Sequence, residues 1–250
     1  MLAHEIIGTG SPLLLIHGLT ESRRMWDPLV PALAADHTVV LVDLPGHGES
    51  GPAASYAADR MADEVASVVR EVGVDDPIVV GHSLGGVVAT AYGGLHPSRG
   101  IVNVDQPLAL ADFQGALREI EPALRGDVAT FTATMDAVLG SMEGQLSSAE
   151  HERMNGLRRS DQAVVLAIWS PVLESSPEDL DALIRSLGAQ VKVPYLSLHG
   201  IDPGPGYGEW LAEVIPGATV EVWPEVGHYP HLVHPERFLA RLAEFEADQA

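Results

Sequence analysis

Residues 77–92 read PIVVGHSLGGVVATAY and hold the most informative pattern in the chain. The apolar run up to Val80 predicts a buried strand, and the segment after Gly85 predicts a helix. Between them lies a Gly-x-Ser-x-Gly pattern, which in this setting is typical of a sharp strand-to-helix turn that exposes the serine. We therefore predict Ser83 as a nucleophile in a strained backbone conformation. The N–H of Leu84, at the free start of the helix, is the first candidate donor to a developing oxyanion.

A second candidate loop lies near the start of the chain. The apolar run at residues 13–16 is followed by His17, Gly18, Leu19 and Thr20. A strand that ends in a His-Gly pair is typical of the loop that supplies the other oxyanion donor beside such a serine turn. The glycine lets this loop approach the turn, and the backbone N–H of Leu19 is the predicted second donor. We interpret His17 as a side chain that braces the loop.

Three histidines spaced by three residues, His228, His231 and His234, follow the last apolar run of the chain. The sequence contains no His-Glu-x-x-His pattern, so we predict no metal site from these histidines. His228 comes first in the loop, and a loop at that place can bring an imidazole over the serine. We therefore predict His228 as the general base that takes the proton of Ser83.

Two aspartates compete for the third catalytic position, which orients the imidazole and stabilises its protonated form. Asp202 lies just beyond the apolar run at residues 194–199 and gives the chain order Ser, Asp, His that is typical of this kind of site. Asp105 ends the run at residues 100–105, and a carboxylate there could also reach His228. The chain order favours Asp202, and Asp105 is the alternative.

The rest of the chain repeats the pattern of an apolar run followed by a helical stretch. The runs are residues 13–16, 38–43, 77–81, 100–105, 194–199 and 219–223, and the predicted helices are residues 26–35, 57–72, 84–96, 207–214 and 235–247. Most of the runs are apolar on both faces, as expected for strands covered by helices on both sides. The alternation predicts an α/β fold with a mostly parallel sheet.

One long segment, residues 107–190, has helical pattern without a convincing strand. We interpret it as a helical lid inserted into a core domain that consists of residues 1–106 and 191–250. Open α/β sheets bind ligands at the carboxyl ends of their strands, and a lid would cover that edge. Phe131, Met135 and Trp169 are candidates to line the substrate pocket beneath it.

Composition limits the classes of partner. Acidic residues outnumber basic ones by 35 to 14 among 250 residues, and the formal net charge is −21. Such a surface repels nucleic-acid phosphates and anionic lipid, so neither is an expected partner. The chain has no cysteine and no signal-like or membrane-length apolar stretch near its start, so we expect a cytoplasmic location. Both a monomer and a homodimer are compatible with the sequence.

The combined motifs resemble the α/β-hydrolase superfamily, and the resemblance covers nearly the whole chain outside the insertion. The matching segments are residues 17–18, 43–50, 81–86 and 227–232. The resemblance implies a Ser–His–acid triad, no cofactor and a pocket under the lid. Lactonases of the zearalenone-degrading type carry their acid at the place that Asp105 would occupy. Ser83 sets the chain apart from the haloalkane dehalogenases and epoxide hydrolases, which use aspartate as the nucleophile.

Within this superfamily the chain is similar to bacterial carboxylesterases and lactonases with a helical lid. We therefore expect it to hydrolyse small to medium, fairly hydrophobic esters or lactones through an acyl-enzyme on Ser83. A carbon–carbon bond hydrolase or a cofactor-free perhydrolase with the same triad is the alternative. A slow-turnover ligand receptor that keeps the fold is a third hypothesis, and weak hydrolysis with ligand-dependent partner binding would support it.

Overall fold

A computed structural model describes residues 1–248 and contains one seven-stranded sheet. The strands are β1 His4–Ile7, β2 Ser11–Ile16, β3 His37–Val42, β4 Ile78–His82, β5 Gly100–Val104, β6 Tyr195–His199 and β7 Thr219–Val222. Their order across the sheet is β1-β3-β2-β4-β5-β6-β7. β1 pairs antiparallel with β3, and every other pairing is parallel. The predicted α/β fold with a mostly parallel sheet is confirmed.

The described residues form helices on both faces of this sheet. The helices are α1 Val30–Leu33, α2 Ala58–Glu71, α3 Leu84–Leu95, α4 Ala111–Leu124, α5 Val128–Met142, α6 Ser148–Leu157, α7 Gln162–Glu174, α8 Pro177–Gly188, α9 Tyr207–Val214, α10 Pro230–Val233 and α11 Pro235–Ala247. Successive residues of β2 point to opposite faces: Leu14 packs in one apolar core and Leu15 in the other. The first core contains α2, α3 and α9, and the second contains α1 and α11. This two-sided burial explains the continuous apolar runs of the central strands.

Two local features differ from the sequence-based expectation. β1, an edge strand that is partly exposed, was not among the predicted strands because His4-Glu5-Ile6-Ile7 lacks a long apolar run. The helix predicted over residues 26–35 is replaced by a short 3-10 helix at Arg23–Trp26 and by α1. Pro28 and Pro31 lie in this segment, and each removes a backbone donor and restricts the residue before it.

The strand register sets where the loops meet. Ile16 at the end of β2 is level with Gly81 of β4, and Gly81 is level with Asn103 of β5. Ser197 of β6 is level with Asn103 in turn. The residues that follow β2, β4, β5 and β6 therefore come together at one edge of the sheet.

Five helices, α4 to α8, lie between β5 and β6. Side chains cap the N-termini of four of them: Asp127, Ser147, Asp161 and Ser176 each accept a backbone N–H of the first turn. The apolar faces of α4, α5 and α7 form a third cluster. Within residues 1–248, no helix is both long and apolar enough to cross a membrane.

Candidate active site

The turn between β4 and α3 holds Ser83 in a backbone conformation that side-chain-bearing residues rarely adopt, with φ 52° and ψ −123°. Its N–H donates to the carbonyl of Val104 over 2.9 Å, which ties the turn to the neighbouring strand β5. A Cβ atom at Gly81 would overlap the carbonyl of Gly85, and a Cβ at Gly85 would overlap the carbonyl of Ile16. The two glycines of the motif are therefore required by the close approach of backbone around the serine.

The two predicted oxyanion donors, Leu19 and Leu84, both lie next to this turn. Leu84 is the first residue of α3, where the backbone N–H has no partner inside the helix. Among the described residues, no hydrogen bond takes up the N–H of either leucine. The loop of Leu19 packs closely on the turn, because a Cβ at Gly18 would come within 3.1 Å of the Cβ of Ser83. The geometry offers two free N–H groups beside the serine.

His228 is fixed by contacts from three separate parts of the chain. Its Nδ1 donates to Oδ2 of Asp105 over 2.6 Å, its backbone N–H donates to the carbonyl of Met142 over 2.8 Å, and its own carbonyl accepts from Nε2 of His82 over 2.8 Å. A carboxylate only accepts, so the proton is on Nδ1 and Nε2 keeps the basic lone pair. The His228 ring lies 4.6 Å, centroid to centroid, from that of His82, the residue before the serine.

Asp105 is a buried acceptor directly after β5. Its other oxygen, Oδ1, accepts the backbone N–H groups of Gly200 and Ile201 over 2.6 and 3.0 Å. Burial by itself would raise the pKa of Asp105, but the hydrogen bond and charge of His228, together with these two N–H groups, hold the pKa below its ordinary value. The carboxylate is therefore ionised and able to stabilise an imidazolium.

Asp202, the acid favoured by chain order, is not the carboxylate bonded to His228. Its side chain is exposed, and its Oδ1 accepts the N–H of Gly204 over 2.8 Å, which closes a turn in the loop after β6. The loop contributes only its backbone, at Gly200 and Ile201, to the carboxylate that reaches the histidine. The structure thus brings Asp105, and not Asp202, to His228.

Glu21 is a site residue that the sequence reasoning did not single out. It is 3% exposed and accepts hydrogen bonds from the N–H of Gly18 (2.8 Å), the hydroxyl of Tyr229 (2.9 Å) and Nδ1 of His82 (3.3 Å). Burial would raise the pKa of Glu21, but the charge and hydrogen bond of His82 and the Gly18 N–H hold it well below its ordinary value. The only sequence signal for this residue is an acidic side chain three positions after Gly18 of the His-Gly pair.

The helices between β5 and β6 contact the site in two ways. Phe131, Met135 and Trp169, the candidate pocket residues, pack in the same apolar cluster as Leu19, and Leu84 packs against that cluster. This arrangement places a cluster of buried apolar side chains next to the two residues with free N–H groups.

The second contact joins the C-terminal end of α5 to the histidine loop. Besides the bond from His228 to Met142, the N–H of Gln145 donates to the carbonyl of Val226 over 3.0 Å. A Cβ at Gly144 would overlap the backbone of Gly227. The backbone at the end of α5 is therefore in direct contact with the loop that carries the predicted base.

Comparisons with known proteins agree on the fold. A family model described as "Alpha/beta hydrolase family" matches residues 13–241. A curated pimeloyl-(acyl-carrier protein) methyl ester esterase of Sodalis glossinidius is 31% identical over 262 aligned positions, covering 96% of both chains. The enzyme of the same name from Nitrosomonas europaea is 29% identical, covering 94% of this chain and 96% of its own. A solved structure described as a putative acyltransferase from Salmonella enterica has a TM-score of 0.81 at 23% identity, covering 100% of this chain and 92% of its own.

Proposed function

The chain belongs to the alpha/beta hydrolase family, and within it we propose that the protein is a serine esterase that forms an acyl-enzyme on Ser83. The observation that carries this proposal is the bond of 2.6 Å between His228 Nδ1 and Asp105, which leaves a basic Nε2 beside the serine turn. The names of the curated relatives place them among ester hydrolases and support the same chemistry here.

In the first half of the reaction, the Oγ of Ser83 attacks the ester carbonyl while Nε2 of His228 takes the hydroxyl proton. The carbonyl oxygen becomes an oxyanion, and the free N–H groups of Leu19 and Leu84 bind it. Asp105 stabilises the imidazolium that forms. Collapse of the tetrahedral intermediate breaks the bond to the alkoxide, which leaves as the alcohol after receiving the proton from His228.

In the second half, water attacks the acyl group on Ser83, and His228 accepts one of its protons. The tetrahedral intermediate again places its charge between the two backbone donors. Collapse returns the proton to the serine oxygen and releases the carboxylic acid. Attack and release use the same groups in both halves, so no cofactor is needed to balance the reaction.

The proposed substrates are carboxylic esters, including lactones, of small to medium size and largely apolar character. The support is the apolar cluster that surrounds Leu19 and Leu84. We propose that residues 107–190 act as a lid over a core made of residues 1–106 and 191–250, because helices of this segment supply most of that cluster. An apolar pocket of this kind binds the acyl or alcohol chain by burying its surface.

The charge of the insertion favours a free ester over one carried by an acidic protein. Residues 107–190 contain 13 acidic and 6 basic side chains. Four of the six arginines are bonded to carboxylates of the insertion itself: Arg125 to Glu121, Arg153 to Glu150, Arg158 to Glu143 and Arg185 to Asp181. An acidic partner would therefore meet a net repulsive surface.

The function is tested with a panel of p-nitrophenyl esters, aromatic lactones and the free and carrier-protein-bound forms of one methyl ester. The proposal expects turnover of the free esters, rising with apolar chain length up to a medium size. A strong preference for the carrier-bound ester would contradict the proposed substrate class. Absence of turnover throughout the panel would contradict the esterase and favour the carbon–carbon hydrolase or receptor hypotheses.

A further inference from the structure

A buried carboxylate behind the candidate active site joins the loops that must act together. Glu21 touches the oxyanion loop at Gly18, the serine turn at His82 and the histidine loop at Tyr229. We propose that Glu21 and His82 are positioning residues, which hold His228 and the N–H of Leu19 in register with Ser83. This inference rests on the proposed function, because positioning has meaning only for that reaction.

The first step of the argument is the chemistry of Glu21. Three donors converge on its two oxygens: Gly18 and His82 on Oε2, and Tyr229 on Oε1. An ionised carboxylate accepts all three, whereas an amide of the same shape has one oxygen and turns an NH₂ toward one of the donors. Gly18 directly precedes Leu19, so the bond from its N–H to Glu21 fixes the peptide next to a proposed oxyanion donor.

The second step is the position of His82. Its Nε2 donates to the carbonyl of His228 over 2.8 Å, and its Nδ1 faces Oε2 of Glu21 at 3.3 Å. Both partners offer acceptor oxygens, so the two nitrogens of this ring connect the histidine loop with Glu21. The ring thereby joins two loops that no other side chain named in this site bridges in the same way: Glu21 behind the oxyanion loop and the backbone of His228.

His82 also fills the space between the loops with its ring. The ring centroid lies 4.6 Å from that of His228, 4.9 Å from Tyr229 and 4.9 Å from His231. The side chain is fully buried. Because His82 is covalently next to Ser83 and its ring packs on that of His228, it connects the nucleophile's backbone with the base.

The third step extends the connection to the insertion. The hydroxyl of Tyr229 accepts from Nη2 of Arg158 over 2.9 Å, and Nη1 of the same arginine lies 2.7 Å from Oε1 of Glu143. Arg158 follows α6, and Glu143 follows α5. The buried polar chain thus continues from Glu21 into the segment that covers the site.

A role in folding alone makes a different prediction from a role in positioning. A residue that only stabilises the fold lowers the melting temperature, while each correctly folded molecule keeps its rate. A positioning residue lowers the rate per active site, because a displacement of about 1 Å at the reacting groups costs on the order of 10² in rate. The discriminating quantity is therefore kcat per titrated serine, measured beside the melting temperature and KM.

The experiment compares the native chain with Glu21→Gln, which keeps the shape and removes the charge, and with His82→Gln. The matched control is Asp43→Asn, another buried carboxylate, whose side-chain hydrogen bonds within the described residues go to Arg23 and Glu49 and not to Gly18, His82 or Tyr229. Each protein is assayed for p-nitrophenyl butyrate hydrolysis, the rate of labelling by a fluorophosphonate, the number of labelled sites and the melting temperature.

We expect Glu21→Gln and His82→Gln to lose about tenfold or more in kcat and in labelling rate, with KM changed by less than about threefold. Asp43→Asn is expected to melt at a lower temperature with an unchanged kcat per labelled site. If Glu21→Gln does not yield folded protein, the kcat per labelled site of His82→Gln alone tests the inference. A kcat per site within twofold of the native value in the folded variants overturns the inference and leaves the esterase intact. Absence of both turnover and labelling in the native chain overturns the proposed function, and this inference with it.

Discussion

Nδ1 of His228 lies 2.6 Å from Oδ2 of Asp105, although 123 residues separate them in the chain. The parallel sheet produces this contact. Asp105 follows β5, which lies directly beside β4, the strand before Ser83, whereas Asp202 follows β6, one strand further away. The loop after β6 uses its backbone to hold the Asp105 carboxylate toward the histidine.

This contact predicts unequal effects of two similar substitutions. Asp105→Asn is expected to lower kcat by about 10⁴, because an amide in that place favours the wrong histidine tautomer and leaves the imidazolium without its counter-charge. Asp202→Asn is the matched control and is expected to leave kcat within about twofold. The measurement is steady-state hydrolysis of p-nitrophenyl butyrate. The reverse ranking of the two variants would return the catalytic acid to Asp202.

Two glycines near the end of α5 provide a second paired prediction. A Cβ at Gly144, where φ is 58°, would overlap the backbone of Gly227. Gly144→Ala must therefore shift the loop of His228, and we expect kcat to fall by about tenfold or more. A Cβ at Gly140 meets nothing within 4 Å. Gly140→Ala is expected to keep kcat and to raise the unfolding free energy by roughly 0.5–1 kcal/mol.

Activity and urea denaturation of both variants test this prediction. If Gly144→Ala loses stability but keeps its kcat, the contact between the segment after α5 and the histidine loop is structural only. If both alanine variants lose the same activity, the effect does not depend on the overlap with Gly227.

Much of this site could be predicted from local sequence because its parts are local. The serine turn needs Gly81, Ser83 and Gly85 next to one another, and the strand before it and the helix after it have clear patterns. The same holds for the His-Gly pair that precedes Leu19. Each of these motifs carries its own structural requirement within a few residues.

The acid and the positioning residues depend on contacts that no local pattern reveals. Asp105 and Asp202 both follow strands, and the choice between them depends on how the loop after β6 turns. Glu21 lies 61 residues from His82 and 208 from Tyr229. β1 escaped prediction for a related reason: its pairing with β3, and not its own short and polar sequence, makes it a strand.

The apolar cluster predicts a change in chain-length preference. Trp169 is 9% exposed and packs in the cluster that contains Leu19. Removing a side chain of this size from a pocket forfeits about 1.5–3 kcal/mol of apolar contact with a long acyl chain. Trp169→Ala is expected to lower kcat/KM for p-nitrophenyl octanoate by about tenfold or more and for the acetate by less than about threefold.

Val128→Ala is the control for that variant, since Val128 also lies in the helices between β5 and β6 but is 72% exposed. Its kinetic constants are expected to match those of the native chain for both esters. Equal losses on acetate and octanoate in Trp169→Ala would show that the tryptophan supports the fold and does not line the pocket.

Two buried histidines predict how stability depends on pH. Burial lowers the pKa of His17, assisted by the charge of His47, and burial likewise lowers the pKa of His199; each falls from 6.5 to about 4. Below pH 6.5 the unfolded chain binds protons that the folded chain does not, so stability is complete above that pH and is lost as the pH falls toward 4. The loss is on the order of 2 kcal/mol per histidine at pH 5.

Urea denaturation at pH 7.5, 6 and 5 measures the direction and size of this change in the unfolding free energy. His199→Gln can keep a hydrogen bond to Ser197. In this variant the unfolding free energy is expected to fall less between pH 7.5 and pH 5, because one of the two buried histidines no longer contributes. Comparison with this variant separates the histidine effect from the relief of repulsion among acidic groups at lower pH. An unfolding free energy with the same pH dependence in both proteins would contradict the assignment to His199.

The most direct test of the account follows hydrolysis of p-nitrophenyl butyrate by the native chain and its Ser83→Ala variant. Absorbance records the release of p-nitrophenol, and mass spectrometry of the digested protein locates any acyl adduct. The account predicts a burst of p-nitrophenol and a butyryl adduct on the peptide that contains Ser83 in the native chain, with neither in the variant. Turnover and adduct formation that survive the substitution would contradict Ser83 as the nucleophile.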